Sequence, residues 1–282
     1  MADQHDSAPA GAAERDRAAD QERLAARMSL VGRKILVLSG KGGVGKSTVA
    51  ANLALALAAA GRRVGLLDVD IHGPSIPQLL RVDGAGIPPS GDVLQPVAAA
   101  HGLKVMSIGF LLANRDDAVI WRGPLKMSVI RQFLADVDWG PLDVLVVDCP
   151  PGTGDEPLSV VQLLGDADGA VVVTTPQDLA VADVRRCVRF CEQLNLPVLG
   201  VIENMSGFVC PACGHRTDIF RSGGGRAMAA DLGVPFLGSV PVDPGIAEAG
   251  DAGAPYFQDQ PHTPSARAFA MAVLPLLALE SP

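Results

Sequence analysis

From Arg33 onward the chain alternates short, nearly continuous apolar runs with longer stretches of helical composition. Lys34–Leu38, Arg63–Leu67, Val144–Val147, Gly169–Val173, Val198–Ile202 and Phe236–Ser239 are rich in Val, Leu and Ile. Runs of that length without polar alternation are expected of parallel strands covered on both faces. Between them, Lys46–Ala60, Lys126–Asp136, Leu158–Leu164 and Leu179–Leu194 read as helices. The alternation predicts an α/β fold: a doubly wound, mostly parallel sheet with helices on both faces. Val93–Val97 and Leu103–Ser107, after Pro88-Pro89, read as a small additional pair of strands. Ser265–Leu279 is apolar, contains Pro275 and reads as a helix docking back on the core. Residues 1–30 differ, with almost no large apolar side chain before Leu24. They are expected to form a mobile or loosely helical tail, with Ala12–Met28 as a fraying helix, ahead of one domain spanning 31–282.

Between the first apolar run and the first helix lies Gly40-Lys41-Gly42-Gly43-Val44-Gly45-Lys46-Ser47-Thr48. Strand, glycine loop and helix in that order are the context of a phosphate-binding loop. Glycines let the backbone curl its N–H groups toward phosphate oxygens, and the helix N-terminus adds its dipole. Lys46 would reach the terminal phosphates and the Ser47 hydroxyl would sit on Mg²⁺. A second lysine, Lys41, directly after the first glycine is not demanded by the general pattern.

Three further strand ends carry polar residues. Asp68 and Asp70 leave the second strand at alternate positions, so both lie on one side, near the phosphates in a parallel sheet. One would hold metal-bound water and the other would orient the attacking water. Asp148 ends the run Val144–Val147, as a Mg²⁺-site acid should, and Gly152 would offer its N–H to the γ-phosphate. Asn204 follows the run Val198–Ile202 with a donor and an acceptor for a purine edge, and Pro241-Val242-Asp243-Pro244 would form the other wall of the base pocket.

Cys210-Pro211-Ala212-Cys213 places two thiolates within reach of one metal or cluster, in a loop spanning about 206–223. Zinc or an iron–sulfur cluster generally takes four ligands, a deficit that a two-fold dimer would make up. His215 could add one ligand, but it lies so close to the pair that it reads equally well as a loop residue. Cys187 and Cys191, four apart on an expected helix, read as small buried hydrophobes, and Cys149 as buried beneath the loop. A redox dithiol would open a helix in a thioredoxin-like unit, which this pair does not.

Composition adds exclusions. A net charge of -8 and 4% aromatics argue against nucleic acid as a partner. No apolar run is long enough for a bilayer, and a basic amphipathic anchor is missing, so no membrane partner is expected. Five unevenly spread cysteines are not a disulfide framework, and Met1–Met28 has no apolar signal core, so a reducing cytoplasm is the expected compartment.

The stretches GKGGVGKST, LLDVDIHGPSIP, DCPPGTGD, VTTPQDLA, IENMSGFVCPACG and VPVDPGIAEAGDAG together resemble the Mrp/ApbC-type iron–sulfur cluster carrier ATPases, over about Lys34 to Gly253. The K-G-G-x-G-K-[ST] loop is similar to the deviant loop of the wider MinD/ParA superfamily. The resemblance implies a P-loop NTPase homodimer binding ATP and Mg²⁺, with a labile [4Fe-4S] cluster bridged by the paired cysteines. It also implies slow hydrolysis coupled to exchange of that cluster with scaffold and apo iron–sulfur proteins. By motif position, Lys41 would reach the partner's nucleotide, Asp70 would orient water, Asp148 would be the metal-site acid, and Cys210 and Cys213 the cluster ligands. His72 stands where relatives often have Tyr, and Cys149 where Met or Thr is common. Two alternatives stay open on sequence: a positioning or partition ATPase, which shares the loop and switches, and a carrier of another metal, since zinc and iron–sulfur both accept thiolates.

Overall fold

The computed structural model describes residues 10–71, 73–86, 89–90, 93–111 and 123–279. His72 and Pro88 lie outside the described residues, as does the start of the N-terminal segment. In chain order the strands are β1 (Val31–Ser39), β2 (Val64–Asp68), β3 (Pro89–Ser90), β4 (Val93–Leu94), β5 (Val97–Ala98) and β6 (Lys104–Ser107). They continue with β7 (Leu142–Asp148), β8 (Gly169–Thr174), β9 (Val198–Glu203), β10 (Phe208–Val209), β11 (Arg216–Thr217) and β12 (Phe236–Ser239). The helices begin with α1 (Ala10–Met28), α2 (Lys46–Ala59), α3 (Ile76–Leu79), α4 (Gly123–Ala135) and α5 (Asp155–Leu164). They end with α6 (Asp178–Gln193), α7 (Gly224–Leu232), α8 (Pro244–Ala252), α9 (Tyr256–Asp259) and α10 (Pro264–Leu277).

Eight strands form one sheet in the order β12-β9-β8-β1-β7-β2-β6-β5. Every neighbouring pair is parallel except β5 with β6. Successive side chains of β1 serve opposite faces, as the period of two requires. Ile35 and Val37 pack with Val49, Leu53 and Leu57 of α2 and Phe269 and Val273 of α10. Leu36 and Leu38 pack with Phe133, Val160, Val184 and Val188 of the helices on the other face. Each such fully buried aliphatic side chain stabilises the fold by about 1.5–3 kcal/mol. The doubly wound α/β architecture read from the sequence is the one observed.

Some elements differ from expectation. Leu103–Ser107 does not belong to a separate pair; Lys104–Ser107 joins the main sheet parallel to β2. Val97–Ala98 pairs with it, and Val93–Leu94 pairs with Pro89–Ser90 instead. The N-terminal segment is not loose at its end, because α1 buries Leu24 and Met28 against the core and Arg27 reaches Asp138 at 3.0 Å. The helix α10 docks as expected and runs past Pro275 to Leu277. Among the described residues, no helix is long and apolar enough to cross a membrane.

The register fixes what stands along the carboxyl edge of the sheet. Asp68 lies opposite Asp148 on one side and Ser107 on the other. Further along, Glu203 lies opposite both Thr174 and Ser239. Ligands of open α/β sheets bind outside this edge.

Candidate functional site

Residues 40–48 curl between β1 and α2. Gly43 and Gly45 take φ of 77° and 83°, the left-handed region open to glycine, and Gly45 caps α2. A Cβ on Gly45 would also stand 2.2 Å from Asn204 Nδ2, so the position is closed to other residues twice over. The loop encloses a cradle of about 250 Å³ lined by Lys41, Gly42, Gly43, Lys46, Ser47 and Asp70. It lies at the N-terminus of the 14-residue α2, whose free N–H groups and dipole suit an anion.

The Lys46 ammonium lies 2.6 Å from Asp148 Oδ1 and 3.3 Å from Asp70 Oδ2, and donates to Ser47 Oγ at 3.4 Å. Burial works against its charge, but the carboxylates of Asp148 and Asp70 outweigh it and raise its pKa. Asp148 is fully buried; burial pushes its pKa up against the pull of Lys46. Among the described residues its Oδ2 finds no hydrogen-bond partner, which is costly for a buried acceptor. Asp70 lines the cradle, whereas Asp68 and Asp148 lie beneath it.

The two acids to which the sequence reading gave metal roles stand in different surroundings. Asp68 Oδ1 accepts the Asp70 N–H at 3.1 Å and Oδ2 accepts the Ser107 hydroxyl at 2.8 Å. Burial, together with the charge of Asp148, pushes Asp68 up to about 8. With both oxygens engaged, Asp68 braces the turn that presents Asp70. The Ser47 hydroxyl and the orphaned Asp148 oxygen are the oxygen donors that fit Mg²⁺ and its water shell.

Gly152, at φ 92°, donates its N–H to the Ser39 carbonyl at 2.8 Å, so that donor is not directed at a γ-phosphate in this conformation.

Next to the cradle, and sharing Gly45, Thr48 and Ser75 with it, opens a cavity of about 480 Å³. Val49, Asn204, Pro241, Asp243 and Phe257 are among its lining residues. Asn204 Nδ2 donates to the Val44 carbonyl at 2.9 Å, tying the end of β9 to the phosphate loop. Pro241 and Asp243 stand in its wall, and the Asp243 carboxylate is engaged in the fold. It caps α8 through Gly245 N at 3.0 Å and accepts the Tyr256 and Ser265 hydroxyls at 2.5 Å each. Burial opposes its charge, and the hydroxyls of Ser265 and Tyr256 outweigh that and lower its pKa. Tyr256 and Ser265 escaped the sequence reading. The one local signal is Thr263-Pro264, the start of a capped helix whose threonine side chain accepts from Ala266 N.

The strands β10 and β11 pair antiparallel and present Cys210 and Cys213 at their tip. Cys210 N donates to the His215 carbonyl at 2.9 Å and Gly214 N to the Cys210 carbonyl at 2.8 Å. The N–H groups of Cys213 and Ala212 turn toward the Cys210 sulfur and lower its pKa. Among the described residues, no group of three or more His, Cys, Asp or Glu side chains could hold a metal ion, so His215 does not complete a site. A second cavity, about 380 Å³, lies beside Cys210 and is lined by Phe208, Tyr256 and Ser265 as well. The segment Pro241–Pro244 lines both this cavity and the first. Cys149, Cys187 and Cys191 are all fully buried, as expected. Burial raises the Cys149 thiol, and the hydrogen bond with Cys191 raises Cys187 further.

A family model described as "NUBPL iron-transfer P-loop NTPase" matches residues 30–276. The chain belongs to this family. The match covers β1 through α10 and so includes the cradle, the acids and the thiol loop of the NUBPL-type chain. The chain is 50% identical over 243 residues to the "Iron-sulfur cluster carrier protein" of Saccharolobus solfataricus, covering 86% of this chain and 82% of that protein. A nucleotide-binding protein of Archaeoglobus fulgidus, solved in complex with ADP, superposes with a TM-score of 0.74 at 43% identity, over 83% of this chain and 91% of its own. The cell-division ATPase MinD of Pyrococcus furiosus superposes at 0.65 with 25% identity, over 87% of this chain and 98% of its own, and shows the same fold.

Proposed function

We propose that this chain is an ATP-hydrolysing iron–sulfur cluster carrier. It works in the cytoplasm as a homodimer whose paired Cys210 and Cys213 bridge a labile 4Fe–4S cluster as cargo, taken from scaffold proteins and delivered to apo-proteins. The observation that carries the reading is the pairing of two sites on β9. Asn204 joins the end of that strand to the phosphate loop, and the next residues open the loop that presents both thiols. One chain offers two sulfurs, so a second copy completes the four ligands that a cluster takes. The ADP held by the Archaeoglobus protein and the name of the Saccharolobus relative support both halves.

ATP would place its phosphates in the cradle and its base in the 480 Å³ cavity between Asn204 and Pro241. Lys46 would exchange its bonds to Asp148 and Asp70 for phosphate oxygens, freeing Asp70 to orient water. That water's oxygen attacks the γ-phosphorus as the bond to the bridging oxygen breaks, giving ADP and phosphate. Mg²⁺, held by Ser47 and through water by Asp148, would neutralise charge on the phosphates. Lys41 would serve the partner's nucleotide, and residues 31–282 would be the working domain. Gly152 would reach phosphate only after giving up Ser39.

The test is anaerobic reconstitution of the full chain with iron and sulfide. The wild type should gain a cluster chromophore with four irons per dimer, and Cys210→Ser or Cys213→Ser should remove it. An unchanged spectrum in either variant sinks the assignment.

A further inference from the structure

Glu203 is fully buried at the last position of β9, yet neither nucleotide nor cargo requires a carboxylate there. Its Oε1 accepts the Ser206 hydroxyl at 2.6 Å, the Gly223 N–H at 2.9 Å and, at 3.5 Å, the Ser239 hydroxyl. Its Oε2 accepts the Gly225 N–H at 2.5 Å. Among the described residues no Lys or Arg forms an ion pair with it, so these donors are its compensation.

The positions of those donors matter. Ser206 opens the thiol loop; Gly223 closes it and caps α7; Gly225 lies in the first turn of that helix; Ser239 is on the neighbouring strand β12. One carboxylate therefore gathers both roots of residues 206–223. Charge at a helix N-terminus adds to the bonds. Gly225 is shaped to it, since a Cβ there would stand 3.1 Å from Glu203 Oε2 and 2.8 Å from Thr174 Cγ2. At the roots the chain also turns through left-handed Met205, just before Ser206, and Arg221, at φ 56° and 71°, conformations that need external support in residues other than glycine.

We infer that Glu203 is a positioning residue for cluster binding: its carboxylate clamps the two ends of the thiol loop and sets where Cys210 and Cys213 are presented. The inference rests on the cluster-carrier reading for its consequence, but not for the clamp itself. Glu203 would touch neither sulfur nor nucleotide. Asn204, the next residue, faces the phosphate loop instead, so the two neighbours serve separate sites.

The experiment uses the full chain with Glu203→Gln, in which an amide NH₂ must face donors, and with Ser206→Ala, which removes one donor and keeps the carboxylate. Amide hydrogen exchange is read first. Exchange across 206–223 should rise about tenfold or more in Glu203→Gln, and less in Ser206→Ala, with 40–48 unchanged. Cluster release to a chelator from the reconstituted dimer should accelerate by about tenfold, a size typical of lost outer support around a metal site. Binding of a fluorescent ATP analogue should hold within about threefold, a change of under 1 kcal/mol. Unchanged exchange in the loop overturns the clamp, and so does loosening that extends equally to 40–48. If Glu203→Gln does not fold, Ser206→Ala decides by the same two regions. A wild type that takes up no cluster removes the cargo reading, while the exchange data still judge the clamp. A loosened loop with unchanged cluster release rejects the positioning role.

Discussion

Replacing Lys46 by alanine should do more than abolish nucleotide turnover; it should destabilise the empty protein in a pH-dependent way. Lys46 is 5% exposed in its side chain and supplies the cation for Asp148, which is 0% exposed, at 2.6 Å. It serves Asp70, 12% exposed, at 3.3 Å. Removing one partner of a buried pair generally costs about 3–5 kcal/mol, because the other charge is left uncompensated. Asp148 can escape by taking up a proton, and removal of Lys46 takes away the influence that now lowers its pKa and that of Asp68. A carboxyl whose folded pKa lies above its unfolded value binds more protons when folded, so stability falls as pH rises between the two. The deficit of the variant relative to wild type should therefore grow with pH, by up to about 1.4 kcal/mol per unit while one extra proton is held. We expect about 1 kcal/mol near pH 5.5, mainly lost packing, and about 3 kcal/mol near pH 8. Urea unfolding of nucleotide-free protein at several pH values measures it. A deficit that is constant across that range, or that shrinks as pH rises, refutes the buried charge set as the cause.

Three other outcomes follow from the same geometry. Asp70→Ala should bind ATP within about threefold of wild type while turnover falls about a hundredfold or more, as for a lost water-orienting group; rapid hydrolysis by this variant rejects that role. Lys41→Ala should leave the subunit folded but weaken ATP-dependent dimerisation in sedimentation, and an unaltered dimer would place Lys41 outside the interface. In the wild type, Asp68 raised to about 8 should make stability decline from about pH 4 to about pH 8, and Asp68→Asn should flatten that slope in pH-dependent unfolding.

The parts legible in the sequence are those fixed locally. The phosphate loop, Asp68, Asp70 and Asp148 announce themselves because a strand ending in a polar residue places it at the carboxyl edge whatever the rest of the fold does. The paired cysteines are likewise set by their own hairpin. What was missed depends on distant partners. Helix α7 begins Gly224-Gly225 after a third glycine and reads as a breaker; the glycines are there because Pro176, Thr174 and Glu203 leave no room for a Cβ. Asp68 and Asp148 look equivalent as strand-end acids, and only their side-chain partners, Ser107 on the adjacent strand for one and Lys46 at the start of α2 for the other, set their surroundings apart. Gly152 looked free to meet phosphate because its bond runs from the loop after β7 to Ser39 at the end of β1, more than a hundred residues away in the chain. The docking of α1 had a readable trace in Leu24 and Met28, four apart and so on one face of a helix.

The segment Pro241–Pro244 is thin. One side of this short stretch of main chain faces the chamber suited to a nucleoside, and the other faces the chamber beside Cys210. Its two prolines stiffen it, and Asp243 bolts it to Gly245, Tyr256 and Ser265. The two compartments are thus back-to-back rooms divided by a single partition. Under the proposed function, fuel and freight would lie on opposite sides of those four residues.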